Sequence, residues 1–108
     1  PIQSEVPKPH LWAGFSDLKR VCACESTWNP NGEPTQFNEQ RTPLTNRTDD
    51  WGACQINKIH LPRTIKLGLD IKNSYEDNIR FAKILYQEQG LKPWSPSKTC
   101  WAKSVAKK

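Results

Sequence analysis

Glu25 closes the apolar stripe of a helix-patterned segment: Phe15, Leu18, Val21 and Cys22 recur at three- and four-residue intervals, and the glutamate is the next position on that face. A carboxyl group drawn out of water resists ionising, because burial penalises the charge unless it is paired. Set against Trp28 or another of the five tryptophans, such a group keeps its proton near neutral pH and can deliver it in general acid catalysis. The competing reading is a helix end that faces solvent. Asp49 and Asp50 suit a turn, since aspartate bonds its own backbone there. Ser26, beside Glu25, reads as an orienting or capping group, because no Ser-His-Asp arrangement is suggested.

The four cysteines offer a different chemistry. Cys22 and Cys24 point about 200° apart on a helix that turns about 100° per residue, so each is expected to look elsewhere, to Cys54 or Cys100. An even count in a short basic chain favours two disulfides and an oxidising compartment. A zinc site with His10 or His60 is the functional rival, weakened by the C-x-C spacing, and reduced cysteines packed as small hydrophobes are the third reading. No metal and no cofactor are expected.

The elements that must position these groups follow from periodicity and punctuation. Three prolines in residues 1–9 indicate an extended arm, leaving residues 10–108 as one domain. A helix is predicted from about His10 to Thr27, stopped by Asn29-Pro30-Asn31-Gly32. Gln36 to Thr48 is polar, carries Pro43, and reads as loop or a small irregular β-hairpin, too polar for core. Trp51 to Asn57 fits a turn leading into a short helix. A helix over Arg63 to Leu67 ends at Gly68, and a clearer one over Ser74 to Gln89 carries Ile79, Ala82, Leu85 and Tyr86 on one face, with Ser74 as cap and Gly90 as stop. A short helix is expected after Ser95, with Pro96 in its first turn. The fold class is therefore α+β, mainly α, with a small irregular β or loop region between helices.

With 35% hydrophobic and 25% charged residues the chain has a globular composition, and its length suits one modest core. Nothing reaches 18 consecutive apolar residues, so no stable membrane insertion is expected. The net charge of +5 favours polyanionic surfaces, an acidic cell wall among them, but the basic residues are scattered, apart from Lys103, Lys107 and Lys108 at the end, and form no nucleic-acid stripe. A monomer is expected. Asn46-Arg47-Thr48 is a glycosylation sequon and carries no weight without a eukaryotic host.

Two linked motifs, Glu25-Ser26 at a helix end and Gly52-Ala53-Cys54-Gln55-Ile56, resemble those of the lysozyme superfamily. Asn78-Ile79 followed by Ala82 is similar to the Asn-Ile-x-x-Ala/Gly helix of Slt-type lytic transglycosylases, and Asp50-Trp51-Gly52-Ala53-Cys54-Gln55-Ile56-Asn57 is similar to the Asp-Tyr-Gly-x-x-Gln-Ile-Asn segment of c-type lysozymes. The resemblance covers about Phe15 to Trp101 and implies a lysozyme-like fold that cleaves peptidoglycan glycan strands. It implies Glu25 as catalytic acid/base, Asp50 as the second carboxylate of a retaining hydrolase, and Gln55 and Asn57 as ligands of sugar amides and hydroxyls. Ser26 belongs to the same cleft, and Trp51 offers a ring for stacking on sugars, whereas Trp12, Trp94 and Trp101 are expected in the core. Bracing of the turn by Gln55 and capping of the next helix by Asn57 are the local alternatives. The transglycosylase route, in which Glu25 acts alone and the muramic 6-hydroxyl closes a 1,6-anhydro ring, ranks slightly ahead of hydrolysis, although the Ala-x-x-Tyr-Asn motif, whose tyrosine contacts the glutamate, has no match in Trp94 to Trp101. A non-catalytic glycan-binding module is the alternative from another class, and the wall-penetrating part of a phage tail or secretion machine a third. The expected location is secreted, periplasmic or wall-associated.

Overall fold

The computed structural model describes residues 11–105; the expected arm at residues 1–9, His10, Lys107 and Lys108 lie outside the described residues. Helix α1 spans Ser16–Thr27. It starts later than the predicted His10 because Gly14 adopts φ +80° and Phe15 lies outside the helical region at φ −132°, so a turn over residues 12–14 precedes it. Leu18, Val21, Cys22, Ala23 and Cys24 are all buried, a wider inner face than the apolar stripe alone defines. The helix ends at Trp28, which is left-handed at φ 56° and whose N–H bonds to Cys24 O.

Strands β1 (Asp50–Trp51) and β2 (Ile56–Asn57) form an antiparallel pair, Asp50 opposite Asn57 and Trp51 opposite Ile56. The regular hairpin thus falls where a turn into a helix was expected, while 36–48 contributes the isolated bridges Phe37 to Pro43 and, just before β1, Thr45 to Trp51. Two left-handed residues, Gly52 and Gln55 at φ 77° and 50°, close the turn, with Gln55 N–H bonding to Gly52 O at 3.0 Å. A 3-10 turn over Lys58–His60 then leads into α2 (Leu61–Lys66), which begins before the predicted Arg63 because Pro62 sits in its first turn. Helix α3 (Tyr75–Gln89) matches its prediction: Ser74 Oγ accepts from Asp77 N–H at 3.1 Å, and Gly90 donates to Tyr86 O. A 3-10 segment, Lys92–Ser97, precedes the short α4 (Lys98–Trp101).

One hydrophobic core joins these elements, with Trp12, Trp94 and Trp101 inside it as expected. Both disulfides start on α1: Cys22 bonds Cys54 in the hairpin turn, and Cys24 bonds Cys100 in α4. They indicate an oxidising compartment. No helix among the described residues is long and apolar enough to cross a membrane.

The expectation that Gln36 is too polar for the core is overturned, since it is only 3% exposed. Its Nε2 donates to Ile71 O at 2.7 Å and Lys72 O at 2.9 Å, and its Oε1 accepts from Ala53 N–H at 2.9 Å, so burial leaves the amide satisfied. Asn78, fully buried in α3, does the same from the other side, accepting from Cys54 N–H and donating to Trp51 O and Ile71 O. Gly52 lies between the two amides, and a Cβ there would overlap both of them. Gly52→Ala should therefore destabilise the protein by about 2–4 kcal/mol, from a strained φ together with overpacking. Urea unfolding of the variant against the wild type measures this.

Candidate active site

Glu25 occupies the last turn of α1, next to disulfide-bonded Cys24, and is half-buried. Ser97 Oγ donates to Glu25 Oε2 at 2.6 Å. Trp101 Nε1 donates in turn to Ser97 Oγ at 2.9 Å, so the carboxyl is held by a two-step chain from the tail of the protein. Burial lifts the Glu25 pKa from 4.5 to about 7; the Ser97 hydrogen bond opposes that rise and the negative charge of Asp50 adds to it. The expected shielding by Trp28 is not found, because Trp28 turns outward at 63% exposure as the left-handed cap of the helix. The tryptophan behind Glu25 is Trp101, acting through Ser97.

Asp50 sits in β1 in the opposite kind of environment. Its Oδ2 accepts from Asn46 Nδ2 at 3.0 Å and Thr48 Oγ1 at 2.5 Å, and its Oδ1 accepts from Asn57 Nδ2 at 2.8 Å. Both carboxylate oxygens are thus occupied by side-chain donors from the surrounding loop and strand. Glu25 and Asp50 thus differ in surroundings, one desolvated and one cradled by polar groups, and are close enough for the charge of one to affect the proton of the other.

The remaining candidates have local partners. Gln55 Oε1 accepts from Asn46 Nδ2 at 3.0 Å and its Nε2 donates to Gly52 O at 2.9 Å, so its amide braces the hairpin turn. Asn57 caps the 3-10 turn through Ile59 N–H while its Nδ2 holds Asp50 and Thr48 O. Ser26 Oγ donates to Cys22 O and accepts from Thr35 N–H, both at 3.0 Å, tying the loop after α1 back to the helix. Trp51 is half-buried, with Lys72 Nζ 4.5 Å from its ring centroid. The local readings of Gln55, Asn57 and Ser26 thus account for the hydrogen bonds that they make.

Sequence reasoning missed Ser97, which no motif marked, and treated Trp101 only as core. It also took Asn46 and Thr48 solely as a glycosylation sequon, although Asn46 organises the loop around Asp50: its Oδ1 accepts from Thr48 N–H and Asp50 N–H. Among the described residues no three of His, Cys, Asp and Glu converge as a metal site, and all four cysteines are oxidised, which removes the thiolates that the zinc reading required. Comparison of the chain with protein-family models, with curated proteins and with solved structures found no match.

The raised pKa makes a stability prediction that is independent of any substrate. Below about pH 4.5 both folded and unfolded chains hold the Glu25 proton. Between that pH and about 7 the folded chain keeps a proton that the unfolded chain releases, so this group's contribution to stability falls as pH rises through the window. Glu25→Gln removes the penalty and should stabilise the protein at about pH 8 by up to about 3 kcal/mol, with little difference from wild type at about pH 4. Urea unfolding of both proteins at the two pH values checks the sign.

Proposed function

We propose that this chain cleaves the β-1,4 bond between N-acetylmuramic acid and N-acetylglucosamine in peptidoglycan strands, with Glu25 as general acid/base. The observation that carries this reading is the pairing of unlike environments: a half-buried carboxyl with a pKa of about 7 and, within its electrostatic reach, a carboxylate that accepts three hydrogen bonds. Glycoside cleavage needs one acid that still has its proton and one group that meets the positive charge developing at the sugar carbon. In this reading Glu25 protonates the glycosidic oxygen, the carbon–oxygen bond breaks, and Asp50 stabilises or captures the oxocarbenium ion. Glu25, now ionised, takes a proton from the incoming water, and a reducing muramic end results.

The polar cradle of Asp50 favours hydrolysis, although the resemblance in sequence ranks the transglycosylase route first. Transglycosylation is the second reading, supported by the similarity of Asn78-Ile79 and Ala82 to the Asn-Ile-x-x-Ala/Gly helix of Slt-type lytic transglycosylases. Glu25 would then serve alone, taking its proton back from the muramic 6-hydroxyl as the anhydro ring closes. In either route Gln55 and Asn57 act by holding the hairpin and Asp50, and the half-buried Trp51 supplies the sugar-stacking surface. A net charge of +5 suits an acidic wall, and two disulfides suit an exported lysozyme-like fold.

Digestion of purified peptidoglycan, with mass spectrometry of the released ends, tests the proposal. Wild type should release muropeptides, Glu25→Gln should lose about 100-fold or more of that activity, and wild-type cleavage should decline above about pH 7 as the acid ionises. Reducing ends, lost in Asp50→Asn, identify the hydrolase; anhydro ends that survive Asp50→Asn identify the transglycosylase. Binding without release by the wild type overturns the enzyme reading and leaves a glycan-binding module.

A further inference from the structure

The two oxygens of Glu25 are treated differently. Oε2 accepts from Ser97 Oγ at 2.6 Å, whereas Oε1 accepts no hydrogen bond from the described residues. Ser97 is itself 5% exposed and fully engaged: its oxygen accepts from Trp101 Nε1, a group that can only donate, and its one hydroxyl proton has two acceptors in reach, Glu25 Oε2 and Trp94 O at 3.0 Å. The shorter, charge-assisted contact to Oε2 is the stronger of the two whenever Glu25 is ionised. Trp101 cannot drift from this position easily, because Cys100 beside it is bonded to Cys24, the residue preceding Glu25, with the two Cα atoms 5.9 Å apart. One covalent bond and one hydrogen bond therefore join the same two segments, and the Trp101–Ser97 bond braces the second of them from within.

We propose that Ser97 is the positioning residue of Glu25, pinning Oε2 so that Oε1 alone carries the proton given to the glycan and later recovered. The assignment rests on the reading of Glu25 as acid/base. A carboxyl free to turn about its last bond presents either oxygen in many orientations; with Oε2 anchored, the proton on Oε1 has one direction, and the anchored group keeps the same direction after the proton has left. The indole N–H of Trp101 fixes the orientation of the anchor.

The test uses the full chain as wild type, Ser97→Ala, Ser97→Thr and Trp101→Phe. The side-chain carboxyl of Glu25 is titrated by carbon-13 NMR, and release of glycan ends is followed against pH on the same samples, with near-ultraviolet circular dichroism as the check on folding. Ser97→Ala should move the Glu25 midpoint upward, because the donor to the ionised form is gone while burial and Asp50 remain. At about pH 6, where Glu25 is largely protonated with or without the hydroxyl, the same variant should lose up to about 100-fold in kcat with KM little changed. Ser97→Thr restores both readouts, and Trp101→Phe lies between. An unmoved midpoint in a natively folded Ser97→Ala protein, or release within about twofold of wild type at that pH, overturns the proposal while leaving the cleavage reading intact. Absence of release from the wild type overturns the cleavage reading and this role with it, whatever the NMR midpoint does.

Discussion

Two cysteines separated by one residue on α1 set the geometry of everything around Glu25. Side chains two apart on a helix leave in nearly opposite directions, so Cys22 and Cys24 reach to different sides of the molecule. One fastens the hairpin whose first strand holds Asp50; the other fastens the tail that holds Ser97 and Trp101. With loops of 32 and 76 residues, the two bonds each contribute about 4 kcal/mol by the chain-entropy estimate. A helix residue three positions after Cys22 and one after Cys24 is thereby bonded to a hydroxyl from one distant part of the chain and placed within the charge influence of a carboxylate from another.

The hairpin itself depends on polar groups to an unusual degree for something so small. Two-residue strands supply little pairing of their own, and the turn between them is supported by amides from either side: Gln36 on Ala53 N–H, Asn78 on Cys54 N–H and Trp51 O, Gln55 on Gly52 O. Each of these contacts lies where an unmet backbone group would otherwise be sealed from water, so each amide is worth more than an exposed hydrogen bond. Trp94 closes the set, its Nε1 donating to Cys54 O at 2.9 Å. The position of Asp50 is thus a product of buried amides rather than of sheet propensity.

What the sequence made legible is local. Helix α3 could be read to within a residue because its cap, its stop and its apolar face are all contained in the segment itself. The divergence of Cys22 and Cys24 followed from helix geometry, which excluded one pairing and left two. The burial of Gln36 and Asn78 was not legible, since both are satisfied by partners 7 to 36 residues away that no period reveals. The hairpin escaped for a related reason: strands of two residues are too short to show alternation. At the site, Glu25 stood out as a carboxylate on an apolar stripe, and Asp50 as a member of a motif. Ser97 stood out in neither way, because its importance comes from a contact 72 residues away across a disulfide.

Asn46 carries a consequence for how the protein can be made. Its amide nitrogen has two hydrogens, and both are in use, one toward Asp50 Oδ2 and one toward Gln55 Oε1. Attachment of an oligosaccharide to that nitrogen during passage through a eukaryotic secretory pathway would leave a single hydrogen for two acceptors. Material from such a host, if modified at its sequon, would carry a loosened Asp50 loop, so a bacterial periplasm, which oxidises cysteines and need not glycosylate asparagine, is the expression compartment that suits this fold.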